Sequence, residues 1–307
     1  MFKSSPLQTF TERLRQSPQR RRVAIADPAD DHTLEVISRA LTEGVAQFIL
    51  VADSHHAERA RQLAADHPSD VSLLLTDSPE QAAAQAVAEV REGRADVLMK
   101  GSLNTDVLLR AVLNKEEGLL TPGAVLTHIT ATHIPAYPRL LLFTDAAVIP
   151  YPTLDQMDAQ VRAAISLHRR LSQEQPRIAL LHCTEKTSPK FPQTIAYAEL
   201  RQRAEQGLYG DVLIDGPMDV KTALDAESAR IKHLTSPVTG QANILLFPDI
   251  EAGNTFYKTI TLLAQAETAG LLCGTTAPVV VASRADSAAS KYHSLAMACL
   301  AATPTYE

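Results

Sequence analysis

The feature that most constrains the fold is a repeated alternation of short apolar runs with longer segments of helical spacing. The run Arg22–Asp27 ends at a proline, and the segment Asp31–Thr42 that follows carries apolar residues on one helical face. Further apolar runs continue the alternation at Phe48–Ala52, Val71–Leu75 and Val97–Met99. Each helix in such a chain returns it to start the next strand beside the previous one. The sequence therefore predicts an α/β fold, with largely parallel sheets that carry helices on both faces.

A cluster of prolines between residues 135 and 155 interrupts the alternation, which then resumes. Proline clusters mark loops and crossovers. Beyond this cluster the sequence predicts a helix at 154–172, a strand at Ile178–His182 and a last helix at 287–301. We therefore predict two α/β domains: residues 1–145 together with roughly residues 285–307, and residues 146–284. The last helix is assigned to the first domain because the termini of such folds commonly lie together.

Charge and cysteine content exclude several classes of protein. The net charge of −6 argues against nucleic-acid binding, which usually needs a basic surface. The amino-terminal residues have no apolar signal core, and the longest apolar runs are far too short to span a bilayer. Cys183, Cys273 and Cys299 lie far apart, without the spacing of a metal site. The sequence therefore predicts a cytoplasmic protein with reduced thiols, no bound metal, and no nucleic-acid or membrane partner.

Common catalytic motifs are missing. No GxGxxG follows the first predicted strand, and neither GxxxxGK[ST] nor GxSxG occurs. These absences argue against a Rossmann dinucleotide site, a P-loop and a hydrolase nucleophile elbow. His128 and His133 have no partner at metal-ligand spacing, and both are predicted to be structural. The candidates for chemistry are therefore three loops, each of which follows a predicted strand and precedes a predicted helix.

The first candidate loop begins at Lys100, which adds a positive charge at the end of a strand. Gly101 permits a tight turn, and Ser102 and Thr105 offer hydroxyl groups beside the free N–H groups of a helix start. Such a helix start attracts anions. The loop could equally be a capping loop in which Ser102 caps the next helix.

The second candidate loop is Pro248–Asn254. Gly253 and Asn254 indicate close approach of a ligand to the backbone, with Tyr257 and Lys258 on the helix that follows. The carboxylates of this loop could instead stabilise the helix start through its dipole, without any functional role.

The third candidate loop is Ser283–Ser287, after the predicted strand Val279–Ala282. Arg284 has the planar guanidinium that suits phosphate, and Ser283 could hydrogen-bond a reacting sulfur or oxygen. Asp286 and Ser287 could be no more than the start of the last helix.

Five segments, in order along the chain, resemble the phosphate acetyltransferase and phosphate butyryltransferase family. The Lys-Gly-Ser and Ser-Arg-Ala-Asp-Ser forms are closer to the butyryl branch. The resemblance implies the two-domain fold of isocitrate and isopropylmalate dehydrogenases, with the active site in the cleft between the domains, and a homodimer or larger homo-oligomer. The five segments are Met99–Gly118, Gly216–Asp219, Ser236–Gly240, Pro248–Asn254 with Tyr257 and Lys258, and Ser283–Ser287.

The resemblance also implies an activity and a set of site residues. The reaction would be acyl-CoA plus phosphate giving acyl phosphate plus CoA, with coenzyme A as a substrate, no bound cofactor and no metal. Ser283 would orient the CoA sulfur, and Arg284 would hold the phosphate and its developing charge. The remaining binding residues would be Lys100, Gly101, Ser102, Thr105, Gly253, Asn254, Tyr257 and Lys258.

One position departs from the family pattern. The acetyl branch has an aspartate, proposed as general base, seven residues after the motif serine, where this chain has Ser290. Either Asp286 takes that role, or the thiol reacts without a strong base. Two alternative functions stay open: a metal- and NAD-dependent 2-hydroxyacid dehydrogenase on the same fold, and a non-catalytic acyl-CoA-binding homologue. The dehydrogenase would take its metal ligands from Asp215, Asp219 and Asp249.

Overall fold

The computed structural model describes residues 5–282 and 286–302. These residues belong to two compact units, the first within Met1–Leu126 and Ala269–Glu307 and the second Thr127–Thr268. The sequence prediction placed its domain boundaries later, at 145/146 and near 284/285. The strand at Thr127–His133 pairs with the strand at Leu141–Thr144, and this pairing keeps both strands in the second unit.

Strands and helices alternate through most of the described residues. The strands are β1 (Arg21–Ala26), β2 (Ala46–Asp53), β3 (Val71–Thr76), β4 (Val97–Lys100), β5 (Thr127–His133), β6 (Leu141–Thr144), β7 (Arg177–Leu181), β8 (Leu213–Met218), β9 (Ile244–Leu246), β10 (Glu267–Cys273) and β11 (Val279–Val280). The helices are α1 (Gln8–Arg15), α2 (Asp31–Thr42), α3 (Glu58–Asp66), α4 (Pro79–Arg91), α5 (Thr105–Val112), α6 (Leu154–Leu171), α7 (Pro192–Glu205), α8 (Val220–Leu224), α9 (Ala226–Ile231), α10 (Ile250–Leu263) and α11 (Ala288–Ala301).

The sheet of the first unit has the strand order β3-β2-β1-β4-β11-β10. The pairs from β3 to β11 are parallel, and β10 pairs with β11 in the antiparallel sense. Because β1, β4 and β11 run in the same direction, their carboxyl ends lie at one edge of the sheet. Ligands of α/β proteins bind at such an edge.

The sheet of the second unit has the order β5-β6-β9-β7-β8. Its pairs are parallel except for β5 with β6. Helix α10 packs against this sheet through a cluster of aromatic rings, in which Phe143 meets Phe256 edge to face at 5.4 Å between centroids. The mostly parallel α/β fold predicted from the sequence is thus confirmed.

Side-chain caps explain where several helices begin. Asp30 accepts a hydrogen bond from the Thr33 amide at 3.0 Å at the start of α2, and Ser78 caps α4 in the same way. Thr153 and Gln156 form a reciprocal capping box at the start of α6. The suggested cap Ser102 is wrong: α5 has Asn104 at its N-cap position, and the hydroxyl of Ser102 bonds elsewhere.

Strands β5 and β10 were missed by the sequence prediction. In β5, Thr127, Thr130 and Thr132 are buried rather than exposed. Their burial is possible because hydroxyl groups are bonded inside the fold, as between Thr132 Oγ1 and the Glu267 carbonyl at 2.9 Å. Among the described residues, no helix combines the length and the apolar character needed to cross a membrane.

Candidate functional site

The loop after β4 is tied to the loop after β1. The Ser102 hydroxyl donates to the Asp27 carbonyl at 2.9 Å and also contacts the Asp27 carboxylate. Asp27 is buried and has a φ of 58°, in the left-handed region that a non-glycine residue seldom adopts. A Cβ on Gly101 would lie 2.1 Å from the Asp27 carbonyl oxygen, so only glycine fits this approach. Asp27 is therefore part of the candidate site, although the sequence pattern marked it only as a strand end.

Lys100 is buried at the end of β4 instead of projecting into solvent. Its ammonium group donates to the carbonyl oxygens of Gly101 and Leu103 at 3.0 and 3.1 Å. A buried ammonium needs such acceptors, since an ion that lacks them in an apolar interior is strongly destabilising. Lys100 thus fixes the conformation of the loop that leads to Thr105, which is exposed at the start of α5.

The chain leaves β11 at the same edge of the sheet. Val280 is in register with Met99, so Val281 and Ala282 continue from β11 at the level of Lys100, the last residue of β4, and of Gly101. Ser283 and Arg284 come next in the sequence and lie outside the described residues.

The residues around the expected general base lie at the start of α11. Ser287 is the N-cap, and its hydroxyl accepts a hydrogen bond from the Ser290 amide at 3.2 Å. Asp286 directly precedes this cap and is half-buried. Ser290 lies in the first turn of α11, so the position expected to hold a general base carries a hydroxyl group.

An ion pair between a buried lysine and a partly exposed aspartate joins α11 to the start of α2. Lys291 donates from Nζ to Asp30 Oδ1 at 2.8 Å. Burial alone would raise the pKa of Asp30, but the hydrogen bonds from Lys291 and Thr33 outweigh it and hold the pKa below its usual value. This pair was not anticipated from the sequence, since nothing in either residue's local pattern marks the contact.

In the second unit, the candidate residues Gly253 and Asn254 pack against the loop after β6. A Cβ on Gly253 would lie 2.1 Å from the Asp145 carbonyl oxygen, and Asn254 Nδ2 donates to the Ala146 carbonyl at 3.0 Å. The close approach at Gly253 is thus made by the protein's own backbone. The buried Asp145 carboxylate in turn accepts hydrogen bonds from four donors: Thr127 Oγ1 and the amides of His128, Ala147 and Val148.

Tyr257 and Lys258 lie one turn further along α10. The Tyr257 ring packs against Phe143 at 6.4 Å between centroids, and the Lys258 ammonium lies 4.9 Å from the Tyr257 ring centroid. This cation–π contact directs an exposed positive charge along the helix surface. The structure therefore brings Gly253, Asn254, Tyr257 and Lys258 together on one helix, beside the loop after β6.

The three carboxylates of the dehydrogenase alternative already have partners. Asp249 caps α10, and Asp215 bonds the Gly216 amide at 2.8 Å and lies 3.5 Å from Arg201. Asp219 caps α8 and pairs with Lys232. Burial would raise the pKa of Asp219, but the hydrogen bonds from Lys232 and Thr222 lower it to about 2. Within the described part of the chain, no three His, Cys, Asp or Glu residues are grouped as metal ligands would be.

Comparison with known proteins assigns the chain to a family. The family model described as phosphate acetyl/butaryl transferase matches residues 70–299. Phosphate butyryltransferase of Clostridium acetobutylicum is 36% identical over 286 residues, 93% of this chain and 95% of that protein. Phosphate acetyltransferase of Rhizobium meliloti is 39% identical over 279 residues, 90% of this chain and 87% of that protein.

A solved structure agrees with these relatives. A branched-chain phosphotransacylase from Enterococcus faecalis V583 superposes with a TM-score of 0.78 at 29% identity, and the match covers 91% of this chain and 98% of that one. The sequence matches extend over nine-tenths of the chain and confirm the resemblance drawn from the five motifs. The chain belongs to the phosphate acetyltransferase and phosphate butyryltransferase family.

Proposed function

We propose that this protein transfers a short acyl group between coenzyme A and inorganic phosphate. The sequence relationship over 93% of the chain supports this activity. The structural observation that carries it is the parallel pairing of β4 with β11. Because β4 and β11 are neighbours, the Lys100–Thr105 loop and the segment that continues to Ser283 and Arg284 begin at the same edge of the sheet. Two motifs that are far apart in the sequence therefore start from neighbouring strands.

In the proposed reaction, written toward acyl-CoA, the CoA thiolate attacks the carbonyl carbon of the acyl phosphate. The carbon–sulfur bond forms, the carbon–oxygen bond to phosphate breaks, and phosphate leaves with that electron pair. A thiol with a pKa of about 8.5 is a few per cent ionised near neutral pH, so thiolate is available without a strong base. Ser283 is assigned to the CoA sulfur, and Asp286 is the carboxylate assigned to assist deprotonation.

Arg284 and the Lys100–Thr105 loop are assigned to the phosphate. A guanidinium donates two parallel hydrogen bonds to phosphate oxygens, and it stabilises charge that develops as phosphate departs. The exposed hydroxyl of Thr105 and the amides at the start of α5 suit the same anion. Lys100 acts through the loop, because its ammonium is bound to loop carbonyls.

The second-unit residues are assigned to coenzyme A. Lys258 presents an exposed ammonium beside the ring of Tyr257, which suits the phosphate-bearing and apolar parts of that molecule. Gly253 and Asn254 hold α10 against the loop after β6 and so position this surface.

The activity and the role of Arg284 are tested together by phosphate-dependent release of free CoA thiol from acetyl-, butyryl-, isobutyryl- and hexanoyl-CoA. We expect release with the wild-type protein, and a loss of kcat of about 10²–10³-fold in Arg284→Ala, the usual effect of removing one donor to developing charge. Arg110→Ala is the matched control, because Arg110 is exposed on α5 and pairs only with Asp106 among the ion pairs described.

Three results would change the assignment. A rate within about threefold of wild type in Arg284→Ala would remove Arg284 from the mechanism. A full rate in Asp286→Asn would remove Asp286 as the base. CoA binding without thiol release from any of the four thioesters would favour the non-catalytic homologue.

The finer features implied by the resemblance are also proposals. They are the isocitrate and isopropylmalate dehydrogenase type of fold, a cytoplasmic location and assembly into a homodimer or larger homo-oligomer. The sequence relationship to the family supports them. Size-exclusion chromatography with light scattering tests the assembly, and a monomeric mass at micromolar concentration would contradict it.

A further inference from the structure

Asp27 is a buried residue beside the loop assigned to phosphate. It directly follows β1 and is 7% exposed. Its amide donates to the Val51 carbonyl at 2.7 Å, and the Gly101 amide donates to the Ala26 carbonyl at 2.9 Å. These bonds hold the loop after β1 between the ends of β2 and β4. Asp27 therefore lies at the carboxyl edge of the first sheet, where the Lys100–Thr105 loop begins.

The hydrogen bonds around Asp27 decide where the proton of the Ser102 hydroxyl group points. The Asp27 carbonyl oxygen accepts from the amides of Ala29 at 3.0 Å and Ser102 at 2.7 Å, which use both of its lone pairs. The Ser102 hydroxyl reaches the same carbonyl at 2.9 Å as a third donor and also contacts the carboxylate, so the carboxylate is the better acceptor for its proton. On either oxygen the proton points at Asp27, and Ser102 presents a lone pair to a ligand.

The carboxylate of Asp27 has capacity for a further hydrogen bond. A carboxylate offers about four acceptor positions. Among the described residues, Ser102 is its only hydrogen-bond donor. A buried carboxylate with so few partners is unfavourable unless another group donates to it. The corner formed by Asp27 and Ser102 thus suits a ligand that carries a proton on oxygen.

We infer that Asp27 makes the site selective for hydrogen phosphate over sulfate. The inference rests on the proposed acyl transfer, because it concerns the anion assigned to the Lys100–Thr105 loop. Inorganic phosphate keeps at least one proton near neutral pH, and its P–OH group donates to the Asp27 carboxylate. Sulfate has the same tetrahedral shape but no proton at this pH, so its oxygen would meet the carboxylate directly and be repelled.

The opposite side of the bound anion would face hydrogen-bond donors. Thr105 is exposed at the start of α5, where its hydroxyl and the amides of the first turn suit the unprotonated oxygens of phosphate. The site would then have a donor side, which attracts either anion, and an acceptor side at Asp27, which accepts only the protonated one.

Binding of the two anions to the full chain tests this inference. Calorimetry measures the Kd of phosphate and of sulfate directly, and the thiol-release assay gives KM for phosphate and Ki for competing sulfate. We expect the wild type to prefer phosphate by about tenfold or more, since a site built around a ligand's proton rejects the analogue that lacks it. Asp27→Asn should reduce this preference by about tenfold, because the amide NH₂ group donates to either anion.

Two further variants support the comparison. Asp31→Asn is the matched control, because the Asp31 side chain is exposed on α2 and pairs with Arg59; its preference for phosphate should equal that of the wild type. Asparagine tolerates the φ of 58° at position 27. Asp27→Gly removes the carboxylate without straining this backbone, and it repeats the test if Asp27→Asn fails to fold.

The outcomes separate the inference from the activity beneath it. If the wild type releases no thiol from any thioester, the proposed function fails, while calorimetry still shows whether a preference for phosphate depends on Asp27. Equal binding of both anions by the wild type overturns the inference, and so does an unchanged preference in both Asp27 variants. A fall in kcat with the preference unchanged would mean that the carboxylate acts on the thiol instead of the bound anion.

Discussion

At the scale of single residues, Lys291 and Asp30 connect the last helix to the loop after β1. The Lys291 side chain is 2% exposed, and Nζ reaches both Asp30 Oδ1 at 2.8 Å and Thr33 Oγ1 at 3.4 Å. Removing one partner of a buried pair leaves the other charge without compensation, which costs more than the intact pair contributes. The pair therefore fixes the start of α2, and with it the loop that carries Asp27.

We expect Lys291→Met to lower the free energy of unfolding by about 2–3 kcal/mol, below the usual figure for a fully buried pair. The expected loss of stability is smaller than for a fully buried pair because the Asp30 side chain is 26% exposed and keeps some hydration. Urea denaturation measures the change. Lys115→Met, at an exposed position, should stay within about 0.5 kcal/mol of the wild type. A Lys291→Met protein as stable as the wild type would show that the pair has no structural role.

The sequence singled out Lys100 and Ser102 but not their neighbour Asp27. The contact between Ser102 and Asp27 joins residues 75 positions apart, and it exists because β1 and β4 are adjacent in the sheet. Alternating strands and helices predict a parallel sheet, but they do not fix the order of its strands. The sequence therefore offers candidate site residues where they lie within one loop, and misses neighbours such as Asp27 that strand order brings beside them.

At the scale of elements, the strands that were predicted are those with short apolar runs, whether fully buried, as β4 is, or partly exposed, as β3 is. Strand β4, for example, is buried along its whole length, and such strands read as continuous apolar runs. Strand β5 is mostly buried but contains three threonines, whose hydroxyl groups find partners such as Thr144 Oγ1 only in the folded chain. The polar threonines thus prevented β5 from being predicted as a buried strand, because the hydrogen bonds that make its burial possible join residues far apart in the sequence.

Gly253 gives a prediction at the same scale, since it fixes how closely α10 approaches the loop after β6. Alanine in a helix interior normally stabilises by about 1 kcal/mol relative to glycine. Here the added Cβ would meet the Asp145 carbonyl oxygen at 2.1 Å, a backbone atom that cannot rotate away. We therefore expect Gly253→Ala to destabilise the protein by about 1–3 kcal/mol, as overpacking does. Thermal denaturation followed by circular dichroism measures the sign.

Thr255→Ala provides the comparison for Gly253→Ala, because Thr255 is exposed on the same helix. Its stability should change by no more than about 0.5 kcal/mol. A Gly253→Ala protein that is more stable than the wild type would mean that helix propensity outweighs the contact, and that α10 can move away from the loop without loss.

At the scale of the whole molecule, pH acts on stability through buried groups that must stay uncharged. His168 is 1% exposed on α6, and its Nδ1 has no hydrogen-bond partner among the described residues. Burial lowers the pKa of His168 from 6.5 to about 4, with the nearby Glu174 acting in the opposite direction. The native second unit thus keeps a neutral imidazole over a pH range in which the unfolded chain would protonate it.

The sign of the resulting pH dependence is fixed by these two pKa values. Between pH 6.5 and about 4 the unfolded state binds the proton more readily than the native state, so stability falls as the pH falls through this window. The loss approaches about 3 kcal/mol by pH 4. Urea denaturation at pH 7.0 and 4.5 measures this loss of stability. We expect His168→Leu to reduce the difference in stability between the two pH values, and His32→Leu, at an exposed position on α2, to leave it unchanged. Carboxylates that titrate near pH 4 contribute equally in the wild type and both variants, so the difference in the pH dependence of stability reports on His168 alone. If His168→Leu loses as much stability as the wild type between pH 7.0 and 4.5, other groups cause the loss.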